Sequence, residues 1–232
     1  LSIDLVRISI GSAFCVFWAT MSTSCSRVDT ARGMSRRRRG GGGGLRVIAG
    51  QAGGLRLITA AGAQMRPTTD RVRESVFAAL GADRIEGARV LDLFAGSGAL
   101  AIESLSRGAA QAVLVERDRD AVSAIVENLS STKLVERARV HRGDVSTFLA
   151  QASPGEGPFR LVFLDPPYEL EDEQLNALLA RLNVPGLLDP DATVVIERSA
   201  RGNPPALPAP WRSSWSRSFG DTLVVFARID GP

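Results

Sequence analysis

Hydrophobic and polar positions follow two regimes along this chain. From about residue 88 to residue 197, short apolar runs alternate with amphipathic stretches of helical period. The runs predict strands at 89–93, 111–116, 138–142, 159–164 and 192–197. The stretches between them predict helices at 98–107, 119–131, 144–151 and 172–182. Buried strands alternating with helices imply a mostly parallel α/β sheet with helices on both faces. Trp215–Phe219 and Thr222–Ala227 flank the turn Gly220-Asp221 and predict a closing antiparallel hairpin. Upstream, Arg46–Ala49 and Leu55–Ile58 flank Gly50–Gly54 and predict a small N-terminal β-hairpin. Met65–Asp70 leads into a helix that carries Val72, Val76, Phe77 and Leu80 on one face, with Thr68, Thr69 or Asp70 available as its cap.

Residues 1–44 fit neither regime. Ile8–Ala19 is mildly apolar, too short to span a bilayer, and resembles a poor signal-peptide core behind the single Arg7. Arg36–Arg39 followed by Gly40–Gly44 cannot pack a core. The reading adopted is a start placed too far upstream, with Met34 the better start and the Arg-Gly run a disordered, RNA-contacting tail. The chain then divides into a disordered or spurious extension at 1–44, a hairpin and helix at 45–84, and a main domain at 85–232.

Composition changes this picture in two places. The pI of 9.5 suggests a nucleic-acid partner, yet seven of the 28 basic residues and only two of the 25 acidic ones lie in residues 1–44. The remainder carries 21 basic and 23 acidic residues, so basicity in the folded part is local. It concentrates at Arg46, Arg56, Arg66, Arg71 and Arg73, an electrostatic footprint suited to RNA. Both cysteines, Cys15 and Cys25, also fall in the extension. The rest of the chain therefore has no disulfide framework and no cysteine nucleophile, which fits a cytoplasmic, reducing compartment. A single histidine, His141, leaves no basis for a zinc site.

Two motifs carry the chemistry. Val90–Leu93 runs into Phe94-Ala95-Gly96-Ser97-Gly98, and a helix opens behind the turn. Gly96 and Gly98 allow close approach of a ligand. Position 101 is alanine, so the third glycine of a dinucleotide fingerprint is missing. An acid before the turn, Asp92, suits a cofactor bearing a cation and hydroxyls, as S-adenosylmethionine does. The second motif is Asp165-Pro166-Pro167-Tyr168, which follows the apolar run Leu161–Leu164. Prolines lack N–H groups, so this tetrapeptide presents acceptors and an aromatic ring suited to an exocyclic amino group on a flat base. Glu116 and Asp144 end two further strands, so four acids sit at carboxyl ends, where open α/β sheets gather their ligands. Glu116 suits ribose hydroxyls and Asp144 the adenine amino group.

At these residues the chain resembles the bacterial 16S ribosomal RNA guanine-N2 methyltransferases of the RsmD family. The matching segments are Arg46–Gly50, Arg66–Ser75, Asp92–Leu100, Leu105–Ala109 and Asp165–Tyr168, within a resemblance that covers about residues 45–229. The resemblance implies the class I methyltransferase fold: a seven-stranded, Rossmann-like sheet with its last strand antiparallel, plus an N-terminal hairpin that helps hold RNA. It implies S-adenosylmethionine as cofactor, surrounded by Asp92, Ala95, Gly96, Ser97, Gly98, Glu116, Arg117, Asp144, Val145 and Asp165. Arg66, Thr68 and Asp70 close over the site from the hairpin side. It further implies catalysis at Asp165, Pro166, Pro167 and Tyr168, and RNA contacts from Arg46, Arg56, Arg71 and Arg73. For Arg71 and Arg73 the alternative is ion pairing with Glu74 and other acids. The implied partner is 16S RNA in the small subunit or an assembly intermediate, with no membrane, no metal and a monomer as the default state. The alternatives are an amino methyltransferase acting on adenine N6 or cytosine N4 in nucleic acid, and a non-catalytic cofactor-binding RNA module. A nicotinamide oxidoreductase ranks behind both, for want of the third glycine and a catalytic dyad.

Overall fold

The computed structural model describes residues 44–60, 70–152, 154–167 and 169–229. The expectations for residues 1–43, for Arg66 and Thr68, and for Tyr168 lie outside the described residues. In chain order the elements are α1 (Asp70–Leu80), α2 (Ala82–Ile85), β1 (Arg89–Leu93), α3 (Ala99–Ser106), β2 (Gln111–Glu116), α4 (Arg119–Ser131) and β3 (Ala138–Arg142). They continue as α5 (Val145–Gln151), β4 (Phe159–Leu164), α6 (Asp172–Leu182), β5 (Leu188–Ser199), β6 (Trp211–Phe219) and β7 (Thr222–Ile229). The seven strands form one sheet in the order β3-β2-β1-β4-β5-β7-β6. The first five are parallel, and β7 inserts antiparallel between β5 and β6.

The central strands are apolar on both sides because both faces are covered. One face of the sheet packs Val76 and Phe77 of α1, Ile102 and Leu105 of α3, and Ile125 and Leu129 of α4. The other packs Phe148 of α5 and Leu175, Leu178, Leu179 and Leu182 of α6. Strand order reverses direction at β1, between β2 and β4, so the carboxyl end of β1 is the switch point where such sheets open a crevice.

Strand β6 begins at Trp211, four residues before the expected start. Alternation conceals it because the register shifts between Ser213 and Trp215. The bulge inserts one residue, so Trp211 joins the core on one face of the sheet and Trp215 and Phe219 pack on the other.

The N-terminal hairpin pairs through a single bridge, Arg46 with Arg56, rather than through two extended strands. Three backbone bonds cross it, from the Val47 N–H to the Leu55 carbonyl (2.9 Å), the Gly54 N–H to the Val47 carbonyl (2.8 Å) and the Leu57 N–H to the Leu45 carbonyl (2.8 Å), and further groups of the segment bond to α3. The buried Glu103 carboxylate on α3 accepts the N–H groups of Ile48 (2.6 Å) and Ala49 (3.0 Å) and pairs with Arg107 (2.6 Å). The Ser106 hydroxyl accepts from the Ala52 N–H at 3.0 Å and donates to the Ala49 carbonyl, while the Ser106 carbonyl accepts from Gln51. A side chain at Gly50 would place its Cβ 1.9 Å from the Ser106 carbonyl oxygen, so only glycine permits this approach. Val47, Ala52 and Leu57 are buried beneath the segment. Glu103→Ala strands two N–H groups and a guanidinium. The expected loss is about 3 kcal/mol by urea denaturation, together with new protease cleavage within 45–58. Retained stability and protection would show that the Ser106 bonds and the apolar contacts suffice to hold the segment.

Candidate active site

Register alone brings the acidic positions together. Leu93, the last residue of β1, pairs with Val115 on one side and Leu164 on the other. Glu116 and Asp165 are the next residues on those two neighbours, so they flank the exit of β1. Asp92 lies beneath them, 1% exposed, and its Oδ2 accepts the Ala101 N–H of α3 at 3.1 Å. Burial is the largest influence on Asp92 and, with the charges of Asp165 and Glu116, pushes its carboxyl up to about 8 against the pull of the Ala101 hydrogen bond.

The chain leaves β1 through Phe94, whose φ of 65° places a non-glycine residue in the left-handed region. Strain of this kind collects at ligand-binding turns. Gly96 (φ 55°) and Gly98 (φ 77°) complete the turn, and the Gly98 N–H closes it on the Ala95 carbonyl at 2.7 Å. Gly98 caps α3, and a Cβ there would press on Leu114 at 3.0 Å. Glu116 holds the turn from the side: its Oε2 accepts the Gly96 N–H (2.9 Å) and its Oε1 the Asp118 N–H (2.8 Å). Ala95 is buried, Ser97 half-buried, and Arg117 exposed beyond them. Asp144 caps α5, accepting from the Ser146 and Thr147 N–H groups at 2.8 and 3.3 Å. The Ser146 hydroxyl is the main cause holding its carboxyl below the usual value, aided by those amides and by Arg117. Asp144 itself is exposed, and Val145 behind it is buried.

Asp165 is half-buried and Pro166 buried, directly after β4. The Pro167 carbonyl accepts the Leu170 N–H at 3.0 Å and closes the turn. The return of this loop is anchored by Arg198 at the end of β5, which donates to the Leu170 carbonyl (3.0 Å) and to Asp172 (2.9 Å). No local pattern marks Arg198, because the contact spans 28 residues.

The arginines sort by exposure. Arg46, Arg56 and Arg71 are exposed or loosely held, with Arg46 bonded to Asp70 at 3.1 Å. Arg73 is corrected. It is 3% exposed, and its guanidinium donates to the Arg46 carbonyl (2.6 Å) and to Asp70 (2.7 Å), so it fastens α1 to the hairpin and has no surface to offer RNA. Burial lowers its pKa against the opposing charges of Asp70 and Glu103. Asp70, expected at the cofactor, is engaged by these two arginines. Among the described residues no helix is long and apolar enough to cross a membrane.

A buried acid under a strained glycine turn, a second acid beside it and a third leading a proline pair form a site for a ligand that is cationic at one end and hydroxylated along its length. Comparison with known proteins agrees. Residues 45–228 match the family described as conserved hypothetical protein 95. A putative ribosomal RNA methyltransferase of Bacillus subtilis is 42% identical over 66% of this chain and 82% of its own length. Ribosomal RNA small subunit methyltransferase D of Escherichia coli is 40% identical over 72% of this chain and 81% of its own. A solved putative methyltransferase from Escherichia coli superposes with a TM-score of 0.68 at 37% identity, covering 81% of this chain and 99% of that one. The sequence, the switch-point site and the shared fold thus converge: the chain belongs to the conserved hypothetical protein 95 family, the RsmD family of S-adenosylmethionine-dependent ribosomal RNA methyltransferases.

Proposed function

We propose that this protein methylates the exocyclic N2 amino group of a guanine in 16S RNA of the small subunit, as a cytoplasmic monomer acting on the subunit or an assembly intermediate. The observation that carries the reading is the placement of Asp165 and Pro166 as the first two residues past β4, beside the glycine turn that follows β1. The fit to the cofactor rests on donor chemistry: Asp92 and Glu116 suit an ammonium and ribose hydroxyls, and Asp144 with Val145 suits adenine. Arg117 borders that pocket. Arg66 and Thr68 close over it, with Asp70 at the root of their segment, while Arg46, Arg56 and Arg71 meet RNA phosphates.

When bound, S-adenosylmethionine supplies an electrophilic methyl on a sulfonium. The chain's residues do the rest by positioning. The guanine amine is a weak nucleophile because its lone pair is shared with the ring. Asp165 and the Pro166 carbonyl accept its two N–H groups, which localises the lone pair and orients it for in-line displacement. The bound cofactor would supply the methyl group and be left as a neutral thioether, and Asp165 would take the proton that the methylated amine releases. Tyr168 stacks on the base once it has left its helix. Tyr168→Ala is expected to raise KM for the subunit roughly tenfold, from the loss of about 1–3 kcal/mol of stacking, with little change in KM for the cofactor. Equal effects on both constants would remove Tyr168 from the RNA side.

The test is transfer of labelled methyl to small subunits lacking their native guanine methylation, with DNA in parallel. Recovery of label as N2-methylguanine in 16S RNA supports the proposal. Label in DNA would retain the Asp165 chemistry and replace the substrate. No label, with cofactor still bound, would favour a non-catalytic RNA module.

A further inference from the structure

We infer that Asn128 of α4 is a positioning residue that locks the cofactor turn to the backbone of Ile58 in the N-terminal segment, an inference that rests on the cofactor reading above. The side chain is 1% exposed. Its Nδ2 donates to the Ser97 carbonyl and to the Ile58 carbonyl, both at 2.9 Å, and its Oδ1 accepts the Ile58 N–H at 2.8 Å. Both donors and the acceptor of the amide are thereby used. A buried amide is costly unless satisfied, and the apolar Ile125 and Leu129 beside it on α4 show that packing alone would not call for one.

The two places it joins are the informative part. The Ser97–Gly98 peptide plane is fixed on both sides: its carbonyl by Asn128 and its N–H by the Ala95 carbonyl at 2.7 Å. That plane sets the left-handed Gly98 that opens α3. Ile58 has a side chain that is 41% exposed, so burial does not fix it. Its backbone is held instead, by an amide that mimics a neighbouring strand. One side chain thus sets the spacing between the glycine turn and the N-terminal segment at Ile58. Ordering of either by a ligand is transmitted to the other.

The experiment is amide hydrogen exchange with and without S-adenosylhomocysteine, alongside its affinity by calorimetry, on the full chain and two variants. In the parent, the ligand should slow exchange both at 95–101 and at 55–60. Asn128→Ala should weaken the ligand about tenfold, speed exchange at 55–60 and abolish the response there, with 89–93 and 159–164 still protected. Ile58→Pro, which removes the N–H accepted by Asn128 and also fixes φ at that residue, should keep the affinity and lose the response at 55–60. It also carries the test should Asn128→Ala not fold. Unchanged affinity and response in Asn128→Ala, or a retained response in Ile58→Pro, would overturn the inference. A parent chain that does not bind the ligand would count against the cofactor reading, and the unliganded exchange rates at 55–60 would then decide the clamp alone.

Discussion

Asp165→Ala is expected to lower the rate of methyl transfer by about 10³-fold, within the range for loss of a positioned proton acceptor, while leaving S-adenosylhomocysteine affinity nearly intact. The asymmetry follows from the position of the residue. Most of the contacts expected to hold the cofactor come from β1, β2 and the turn after β3, whereas Asp165 leaves β4 and is expected at the edge shared with the amine. Its backbone is also held independently of its carboxylate. Pro166 is buried, the Pro167 carbonyl closes on Leu170, and Arg198 ties Leu170 to Asp172. The loop should therefore keep its shape when the carboxylate is removed. Asp165→Asn sharpens the test, because it preserves an acceptor oxygen and loses only the charge and the capacity to take a proton. If the carboxylate matters solely for orientation, the asparagine variant should recover much of the rate. If it also takes the proton, both variants should be similarly slow. Single-turnover rates on subunits, with ligand affinity measured separately, distinguish these cases. Full activity in Asp165→Ala would remove the residue from the reaction.

The parts of the fold readable from sequence are those set by local periodicity. β1, β2, β3, β4 and α6 lie at the expected residues because a strand buried on both faces is an unbroken apolar run and a covering helix repeats every three to four positions. The glycine turn was legible for a related reason: two small residues after a strand leave few conformations. What escaped depends on partners distant in the chain. Arg73 has the spacing of a surface charge on α1, and only the approach of the Arg46 carbonyl and Asp70 makes it a buried tie. Asn128 sits in an ordinary helical pattern and acts 70 residues away on Ile58. The hairpin ladder stops after Val47 because Glu103 and Ser106 take the N–H groups of Ile48, Ala49 and Ala52. Trp211 and Trp215 would share a face in a regular strand, and the bulge between them separates them.

S-adenosylhomocysteine affinity is expected to rise with pH toward about 8, by up to tenfold per unit, and then to level off where Asp92 is concerned. Burial, reinforced by Asp165 and Glu116, raises the unliganded Asp92 carboxyl to about 8, so near pH 7 it is largely protonated. The ligand's ammonium placed against it favours the carboxylate, so binding expels a proton, and each proton released makes affinity one decade steeper per pH unit. The same shift acts on folding with its own sign. A carboxyl whose folded pKa lies above its unfolded value binds more protons when folded. Its contribution to stability is therefore full below about pH 4 and is lost as pH rises toward 8. The unliganded protein should lose stability across that window, and Asp92→Asn should remove this part of the slope. Calorimetry at pH 7 in two buffers of different ionisation enthalpy measures the proton count directly. The free ligand's amine titrates identically in both measurements, so the difference between parent and Asp92→Asn reports the Asp92 carboxyl together with the shift it induces in the bound amine. Equal proton release by the two proteins would mean that Asp92 is already ionised in the unliganded site, and that the ligand's cation is balanced by Asp165 and Glu116 instead.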